Sequence, residues 1–223
     1  MLGLYIGIIL LLNIPYVQHR MSVLVAKELS TVLGSELTVG RINIGLLNRI
    51  IIDDLVLNDQ SGKELLKIGR LSAKFEILPL FSGKISIGNV QLFSFNANLE
   101  RPTPQASTNF QFVLDAFASK DTVKKKSDLD LRINSLLIRR GKVSYDVLSA
   151  ESTPGKFNPQ HIRLSNILAN ISLKALQNDS VNAAIKRMSV EEEHSGFELK
   201  KLSLKIIAND RKMRIENFAI DLP

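Results

Sequence analysis

Most of the chain after Ser35 alternates apolar and polar residues, and the alternation is repeatedly interrupted in the same way. A period of two is typical of β-strands with one buried face. The interruption has the pattern apolar-x-apolar-x-x-apolar-x-apolar, with both middle positions polar or glycine. One extra residue there returns the apolar side chains to the same face of the strand. The nine windows begin at Leu37, Ile50, Leu66, Ile85, Leu131, Ile162, Ala183, Phe197 and Met213.

The middle pairs predict bulges or kinks within strands. A two-residue hairpin turn at these points would leave only about three residues per strand, which is too short. Repeated in neighbouring strands, such bends curve a sheet. We therefore predict a mainly β fold over residues 35–223, with a curved antiparallel sheet of roughly nine or more strands. The clearest middle pairs are Gly40-Arg41, Asp53-Asp54, Gly69-Arg70, Gly88-Asn89, Asn134-Ser135 and Ser165-Asn166.

The apolar face of this sheet needs a cover, and two arrangements can supply it. One is a closed sandwich or barrel in which that face is the core. The other is an open, taco-like groove that holds an apolar ligand. Little helical sequence is available to cover the sheet, and the strand-like segment before Pro223 predicts a bare edge. We expect an open groove lined by Ile52, Leu55, Leu71, Phe75, Ile87, Val90, Ile133, Leu136, Leu202 and Leu204.

The N-terminal segment predicts a membrane anchor over residues 1–17. Leu2 to Leu12 is an unbroken run of apolar residues and glycine, and Ile14 to Val17 extend it beyond Asn13. About sixteen helical residues span roughly 24 Å, slightly less than a ~30 Å hydrocarbon core. No basic residue precedes the run and no small-residue cleavage site follows it. An uncleaved transmembrane helix is therefore favoured over a signal sequence or a buried core helix.

Two further helices are predicted. Residues 18–34 form an amphipathic helix, because apolar residues recur at spacings of three and four and Gly34 stands at the C-cap position. This helix either caps one end of the sheet or lies on the membrane surface. A short helix near 109–119 belongs to an insertion over 101–127. Its apolar stripe is Phe110, Val113, Leu114 and Phe117.

Composition and motifs exclude most enzymatic chemistry. The chain has no cysteine, which removes disulfides, thiolate metal sites and a Cys nucleophile. Its three histidines, His19, His161 and His194, have no metal-ligand spacing. There is no G-x-S-x-G, phosphate-binding glycine loop or H-E-x-x-H. We therefore predict that the chain is not an enzyme and that it binds no metal or cofactor.

The net charge of +7 favours anionic partners such as nucleic acid or lipid headgroups. Arg139 to Lys142 is the strongest nucleic-acid candidate, but it lacks interleaved aromatic residues and a recognisable binding fold. We therefore predict no nucleic-acid partner. His194-Ser195 could suggest a catalytic pair, but it lies in a polar stretch typical of a hairpin turn.

The ordered combination of these segments resembles a known family. The segments are the N-terminal hydrophobic helix, IPYVQHR, a helix ending in LG, VGRINIGLLNRIIIDDLVL, FQFVLDAFAS and LDLRINSLLIRRGKVSYDV. Together they resemble the N-terminal part of the Bacteroidetes-type TamB proteins, the translocation and assembly modules of the AsmA-like superfamily. The resemblance covers essentially the whole chain. Members of this family are far longer, so the resemblance implies an N-terminal part of a longer protein.

The resemblance also implies a function. It implies a single-pass inner-membrane protein whose bulk lies in the periplasm, as a U-shaped β-groove with an apolar interior. Such proteins are linked to phospholipid transport between membranes and to outer-membrane biogenesis. Phospholipid acyl chains would be the cargo, and an outer-membrane assembly protein of the BamA or TamA type would be the partner. The alternative is a structural or chaperone-like scaffold for outer-membrane protein assembly or secretion, whose sheet edge pairs with client strands.

Overall fold

The mainly β fold is confirmed by a computed structural model, in which residues 2–45, 48–76, 86–117, 134–177, 180–209 and 212–223 are described. The helices are α1 (Leu2–Leu12), α2 (Pro15–Leu33) and α3 (Gln111–Phe117). The strands are β1 (Leu37–Gly45), β2 (Arg49–Asn58), β3 (Glu64–Glu76), β4 (Ser86–Arg101), β5 (Ser135–Val147), β6 (His161–Gln177), β7 (Ser180–Glu192), β8 (Phe197–Asn209) and β9 (Met213–Asp221).

All nine strands form one sheet in chain order, from β1 at one edge to β9 at the other. The sheet is not closed, and the described residues contain no second sheet packed on it. The prediction of a wholly antiparallel sheet is wrong, because β4 and β5 pair in parallel. Two consecutive parallel strands need a connection that brings the chain back to the end at which the first strand began. The segment that joins β4 to β5 contains α3. The sheet is therefore open and mixed.

The predicted phase slips in β1, β2 and β3 are kinks, and they line up with a further kink in β4. Gly40, Asp54, Gly69 and Ser94 are left out of the pairing at the same level of their strands. Asp54 and Ser94 adopt left-handed conformations, with φ of 56° and 54°. A Cβ atom at Gly40 would lie 3.0 Å from that of Asp54, so any larger residue there would crowd Asp54 across the pair. Because each strand gains one residue at the same level, apolar side chains stay on one face.

The slips in the later strands are also confirmed. Asn166 in β6 and Asn217 in β9 have φ of 51° and 53°, and Lys186 in β7 is unpaired with β6. Gly88 is skipped between the β4 residues that pair with β3. The pair at 134–135 stands at the start of β5, next to residues outside the described ranges.

Two kinks in the middle strands did not fit the sequence pattern. Ser94 in β4 follows Phe93, which places an apolar residue in the middle pair. Arg140 in β5 has φ of 54° and is followed by Gly141 where the pattern requires an apolar residue. The pattern failed at both positions because it tests side-chain type, whereas the kink depends on the backbone.

The N-terminal helices differ from the predicted boundaries of 1–17 and 18–34. α1 ends at Leu12, and α2 begins at Pro15, which occupies an early helical position where its missing N–H costs no hydrogen bond. The predicted C-cap is confirmed, since Gly34 has φ of 64° and its N–H donates to Ser30 O. Within the described residues, no helix is both long enough and apolar enough to cross a membrane.

The larger core cluster lies where α2 and α3 pack on the first strands. Its most buried side chain is Leu65, which is 0% exposed and is skipped in the β2–β3 pairing. Two positions of the predicted α2 stripe, Leu24 and Val32, are instead 63% and 55% exposed. The short helix predicted near 109–119 is confirmed over the described residues as α3. The cluster comprises Leu33, Leu37, Leu57 and Leu65, with Ala26, Leu29, Val39, Leu66, Leu99, Phe110, Phe112, Val113 and Ala116 packed against it.

Candidate functional site

One face of the sheet carries an unbroken row of apolar residues that crosses all nine strands. Register partners in adjacent strands lie on the same face, about 4.8 Å apart in the pairing direction. Eight such steps give a row of about 38 Å. We call it the first apolar row. Its members, each the partner of the next, are Ile42, Ile52, Leu71, Leu92, Ile138, Ala169, Met188, Leu202 and Ile220.

A second apolar row runs beside the first from β1 to β8. All its side chains are partly exposed, neither buried in a core nor fully in solvent. Two adjacent rows give an apolar strip that is continuous in the direction perpendicular to the strands. The second row comprises Ile44, Ile50, Ala73, Val90, Leu136, Ile171, Ile185 and Leu204.

On the other side of the kinks, the apolar face is packed. Leu55 is 8% exposed and Ile68 is 6% exposed. Phe95 reaches across β5 because Gly141 has no side chain there: a Cβ on Gly141 would lie 2.2 Å from the phenyl ring. The ring packs against a second core cluster of Ile167, Val190 and Leu199. The strip, in which all side chains except Ile42, Ala169 and Ile220 are partly exposed, is therefore bounded on one side by a buried layer.

The structure brings most of the predicted groove residues together on this strip. Ile52, Leu71 and Leu202 belong to the first row, whereas Val90, Leu136 and Leu204 belong to the second. Leu55 lies in the packed layer. The backbones of Phe75 and Ile87 pair with each other between β3 and β4. Ile133 lies outside the described residues.

Sequence reasoning missed several members of the rows. Leu92 and Ile138 complete the first row between β3 and β6, and Met188 and Ile220 extend it to the last strand. Each of them is an apolar position of a strand pattern, so the signal was present in the sequence. Only the register shows which of these positions face one another.

The opposite face of the sheet carries the charge. Arg70 Nε donates to Asp53 Oδ1 at 2.6 Å beside the kinks. The segment from Arg139 to Lys142 lies in β5, and its glycine is explained by the ring of Phe95. Several exposed basic residues on β5, β7 and β8 form no ion pair with any described residue. These are Arg139, Arg140, Lys142, Lys186, Arg187, Lys200 and Lys201.

The polar stretch at residues 193–196 is the β7–β8 turn, as predicted. Glu192 anchors it: Ser195 donates to Oε2 from its N–H at 2.8 Å and from its hydroxyl at 2.5 Å. Burial alone would raise the pKa of Glu192, but these hydrogen bonds and those from the Arg163 and His194 N–H groups lower it to about 2. The carboxylate is thus occupied with the turn and is a poor general base.

A cleft of about 850 Å³ with mixed polar and apolar walls lies between the end of α2, the β2–β3 turn and α3. The carboxylate of Asp59 at its wall already accepts hydrogen bonds from Ser61 N at 2.8 Å and Lys63 N at 3.0 Å. It therefore shapes the turn. Among the described residues, no group of three or more His, Asp and Glu side chains could hold a metal ion.

No family model and no curated protein match this chain. The class that the fold defines is an open, nine-stranded mixed sheet with one apolar face, packed at one end by two helices. The strip of two apolar rows is the surface of this fold whose chemistry matches an apolar ligand.

Proposed function

We propose that the chain is an inner-membrane-anchored periplasmic protein whose open apolar groove carries phospholipid acyl chains between membranes during outer-membrane biogenesis. The observation that carries this proposal is the first apolar row, which continues through every strand without a polar residue. An acyl chain gains about 0.8 kcal/mol per buried CH₂. A continuous strip keeps that gain at each step, so a chain moves along it without a large barrier.

The composition of the strip supports a mobile cargo over a single bound ligand. A site for one ligand combines an apolar pocket with a few converging polar groups that fix its orientation. The two rows contain only aliphatic side chains and Met188, and the unpaired basic residues lie on the other face. The strip can therefore hold hydrocarbon without selecting one position.

Membrane attachment is supported by α1 and by the resemblance to the TamB family. Ile6, Leu10 and Leu11 are 43%, 66% and 58% exposed on this helix. Replacing Leu10 and Leu11 together with Asp should move the protein from the membrane fraction to the soluble fraction. Unchanged membrane association would contradict the proposed anchor while leaving the groove untouched.

The groove is tested by placing a photo-crosslinking amino acid at Leu71, on the apolar face of β3, and at Lys67 on the opposite face. Crosslinks to lipid at Leu71 and none at Lys67 are expected in cells. Leu71→Asp places an unpaired carboxylate in the strip, which costs several kcal/mol (about 2–7) for a passing chain. Leu71→Ala should be tolerated, because a chain can fill the space. Equal growth defects of the two variants under envelope stress would contradict lipid conduction.

The second candidate function is a scaffold that pairs its edge with strands of outer-membrane proteins, with an assembly protein of the BamA or TamA type as partner. The observation that favours it is β9, whose residues are all exposed except Glu216. An open edge of this kind is a template for an added strand. A crosslinker at Phe218 that captures protein, combined with no lipid at Leu71, would support the scaffold over the groove.

A further inference from the structure

His161, the first residue of β6, ties the loop between β5 and β6 to the sheet. Its Nδ1 lies 2.9 Å from Asp146 Oδ1, and its Nε2 lies 3.1 Å from Ala150 O. Asp146 is also its register partner across the β5–β6 pair. The side chain of His161 is only 15% exposed, so water does not readily replace either contact.

The chemistry of the two partners determines the protonation state. A carboxylate and a backbone carbonyl only accept hydrogen bonds. Neutral imidazole has one N–H and can satisfy one of them, whereas imidazolium has two and satisfies both. We propose that His161 is a pH-sensitive pin: as imidazolium it holds Ala150 and the β5–β6 loop, and on losing its proton it releases them.

The order of release follows from the strengths of the two hydrogen bonds. The bond to the Asp146 carboxylate is charge-assisted and stronger than the bond to the neutral carbonyl of Ala150. The remaining proton therefore stays on Nδ1. The lone pair of Nε2 then faces the lone pairs of Ala150 O, and that contact becomes repulsive.

Charged groups on the neighbouring elements determine the pH at which His161 loses its proton. Asp146 also accepts a hydrogen bond from Arg163 Nη2 at 2.8 Å, and the Arg163 charge opposes protonation of the imidazole. The hydrogen bond that the imidazole donates to Asp146 has the larger influence and raises the pKa of His161 above the ordinary 6.5. Hence the pin is engaged below pH 6.5 and is released as the pH rises through the raised value.

The remaining charges nearby are compensated or exposed. Glu100 of β4 is the register partner of Asp146, and its carboxylate is paired with Lys63 Nζ at 2.9 Å. From β7, Glu192 accepts the backbone N–H of Arg163 at 3.3 Å. On the loop itself, Glu151 and Lys156 are exposed.

Release is expected to be local. The start of the loop has independent ties, since Leu148 N donates to Arg101 O at 2.9 Å and Ser149 N donates to Pro102 O at 3.1 Å. Within residues 150–160, Val147 N donates to Gln160 O at 2.8 Å and Asn158 Nδ2 donates to Glu151 O at 3.1 Å, so the release is centred on Ala150. The same part of the loop carries Phe157, which is 59% exposed. Leu148 lines the 850 Å³ cleft, so loosening the loop also alters one wall of that cleft.

The test uses the full chain and two measurements. NMR of the imidazole nitrogens should show both protonated at pH 6. The backbone amides of Ala150 and Gln160, which donate to Val147 O and Asn158 Oδ1, should lose about tenfold of their exchange protection between pH 6 and pH 8, after correction for the intrinsic rate, since the hydrogen bond from His161 Nε2 to Ala150 O is lost. The 193–196 turn, which contains no part of this contact, provides the internal reference.

Variants separate the pin from a general pH effect. His161→Gln should abolish the pH dependence of the loop, while His19→Gln should keep it. Asp146→Asn should shift the transition to lower pH. A neutral His161 at pH 6, or the same pH dependence in His161→Gln, would overturn the proposal. If His161→Gln does not fold, the NMR titration of the unmodified chain still decides.

Discussion

The two edges of the sheet are built differently. At β1, Ser30 Oγ accepts the N–H of Leu37 at 2.9 Å and donates to its carbonyl at 3.3 Å. Further along, Asn13 Nδ2 donates to Ile44 O at 2.8 Å. Side chains from the helical segment thus satisfy three of the outward backbone groups of β1. At β9, no described residue pairs with the outer edge. α2 therefore occupies the β1 side of the sheet, whereas the outer edge of β9 has no neighbour among the described residues.

The first apolar row shows the same contrast. It begins at Ile42, which is 3% exposed, and ends at Ile220, which is 51% exposed. α2 packs along β1, where the row begins, whereas the far end has no helix over it among the described residues. The row therefore passes from a covered end to an open end, and substitutions at the two ends should differ in cost.

The largest expected effect is at the covered end. Leu65→Ala removes a side chain that is 0% exposed within the larger core cluster, and should cost about 2–5 kcal/mol of unfolding free energy. Ile215→Ala on β9, where the side chain is 50% exposed, should cost under about 1 kcal/mol. Urea unfolding followed by circular dichroism compares the two. Similar losses would show that the two ends do not differ in packing.

Phe95 in β4 and Gly141 in β5 are in contact in the middle of the sheet, between the covered and the open end. Gly141→Val should cost about 1–3 kcal/mol, since the new Cβ would lie 2.2 Å from the phenyl ring, which must move. Phe95→Ala alone leaves a cavity in the second core cluster. In the double variant the two changes should compensate in part, as a double-mutant cycle can measure. Strict additivity would show that the ring and the glycine are energetically independent.

At the open half, Glu192 ties the β7–β8 turn. Its pKa is lowered from 4.5 to about 2, so its ionised form stabilises the fold above pH 4.5 and this contribution is lost as the pH falls toward 2. Glu192→Gln should cost about 1–2 kcal/mol at pH 7 and flatten the stability profile between those pH values. Glu193→Gln, an exposed neighbour, is the matched control. An unchanged acid profile in Glu192→Gln would contradict this role.

The sequence predicted the strands and their apolar face but not how the strands meet. The alternation of apolar and polar residues located the strands, because a strand with one buried face has a period of two. The polar or glycine residues Gly40 and Asp54 interrupted that alternation and so indicated the kinks. The parallel pairing of β4 with β5 was missed, since nothing local to either strand encodes its direction. Part of the first apolar row was missed for a related reason: Leu92 faces Ile138 through a register set by residues far apart in sequence.

The helical cover of β1 gives a smaller effect. Ser30→Ala removes both hydrogen bonds to Leu37 and should cost about 1 kcal/mol. Thr31→Ala is the control, because the hydroxyl of Thr31 is exposed and donates only to Lys27 O within α2. Faster amide exchange at Leu37 in Ser30→Ala alone is expected. Equal exchange in both variants would mean that the hydroxyl of Ser30 does not protect the β1 edge.

The smallest expected effect concerns the kink at Arg140, between the covered and open ends. A left-handed conformation costs a residue with a side chain about 1–2 kcal/mol, and Arg140 has φ of 54°. Arg140→Gly removes that cost but adds about 0.5–1 kcal/mol of backbone entropy in the unfolded chain. The net stabilisation should be roughly a few tenths of a kcal/mol to 1 kcal/mol.

Asn166→Gly in β6 is the matched control for this kink. Asn166 has φ of 51°, and asparagine enters this region more easily than arginine. Its Nδ2 also donates to Glu191 Oε2 at 2.7 Å, a bond that glycine would lose, so the same change should gain less there. Urea midpoints of the two variants give the comparison. If Arg140→Gly is destabilised by more than Asn166→Gly, the side chain of Arg140 holds the kink through its own contacts. The middle of the sheet would then depend on a charged side chain of the polar face.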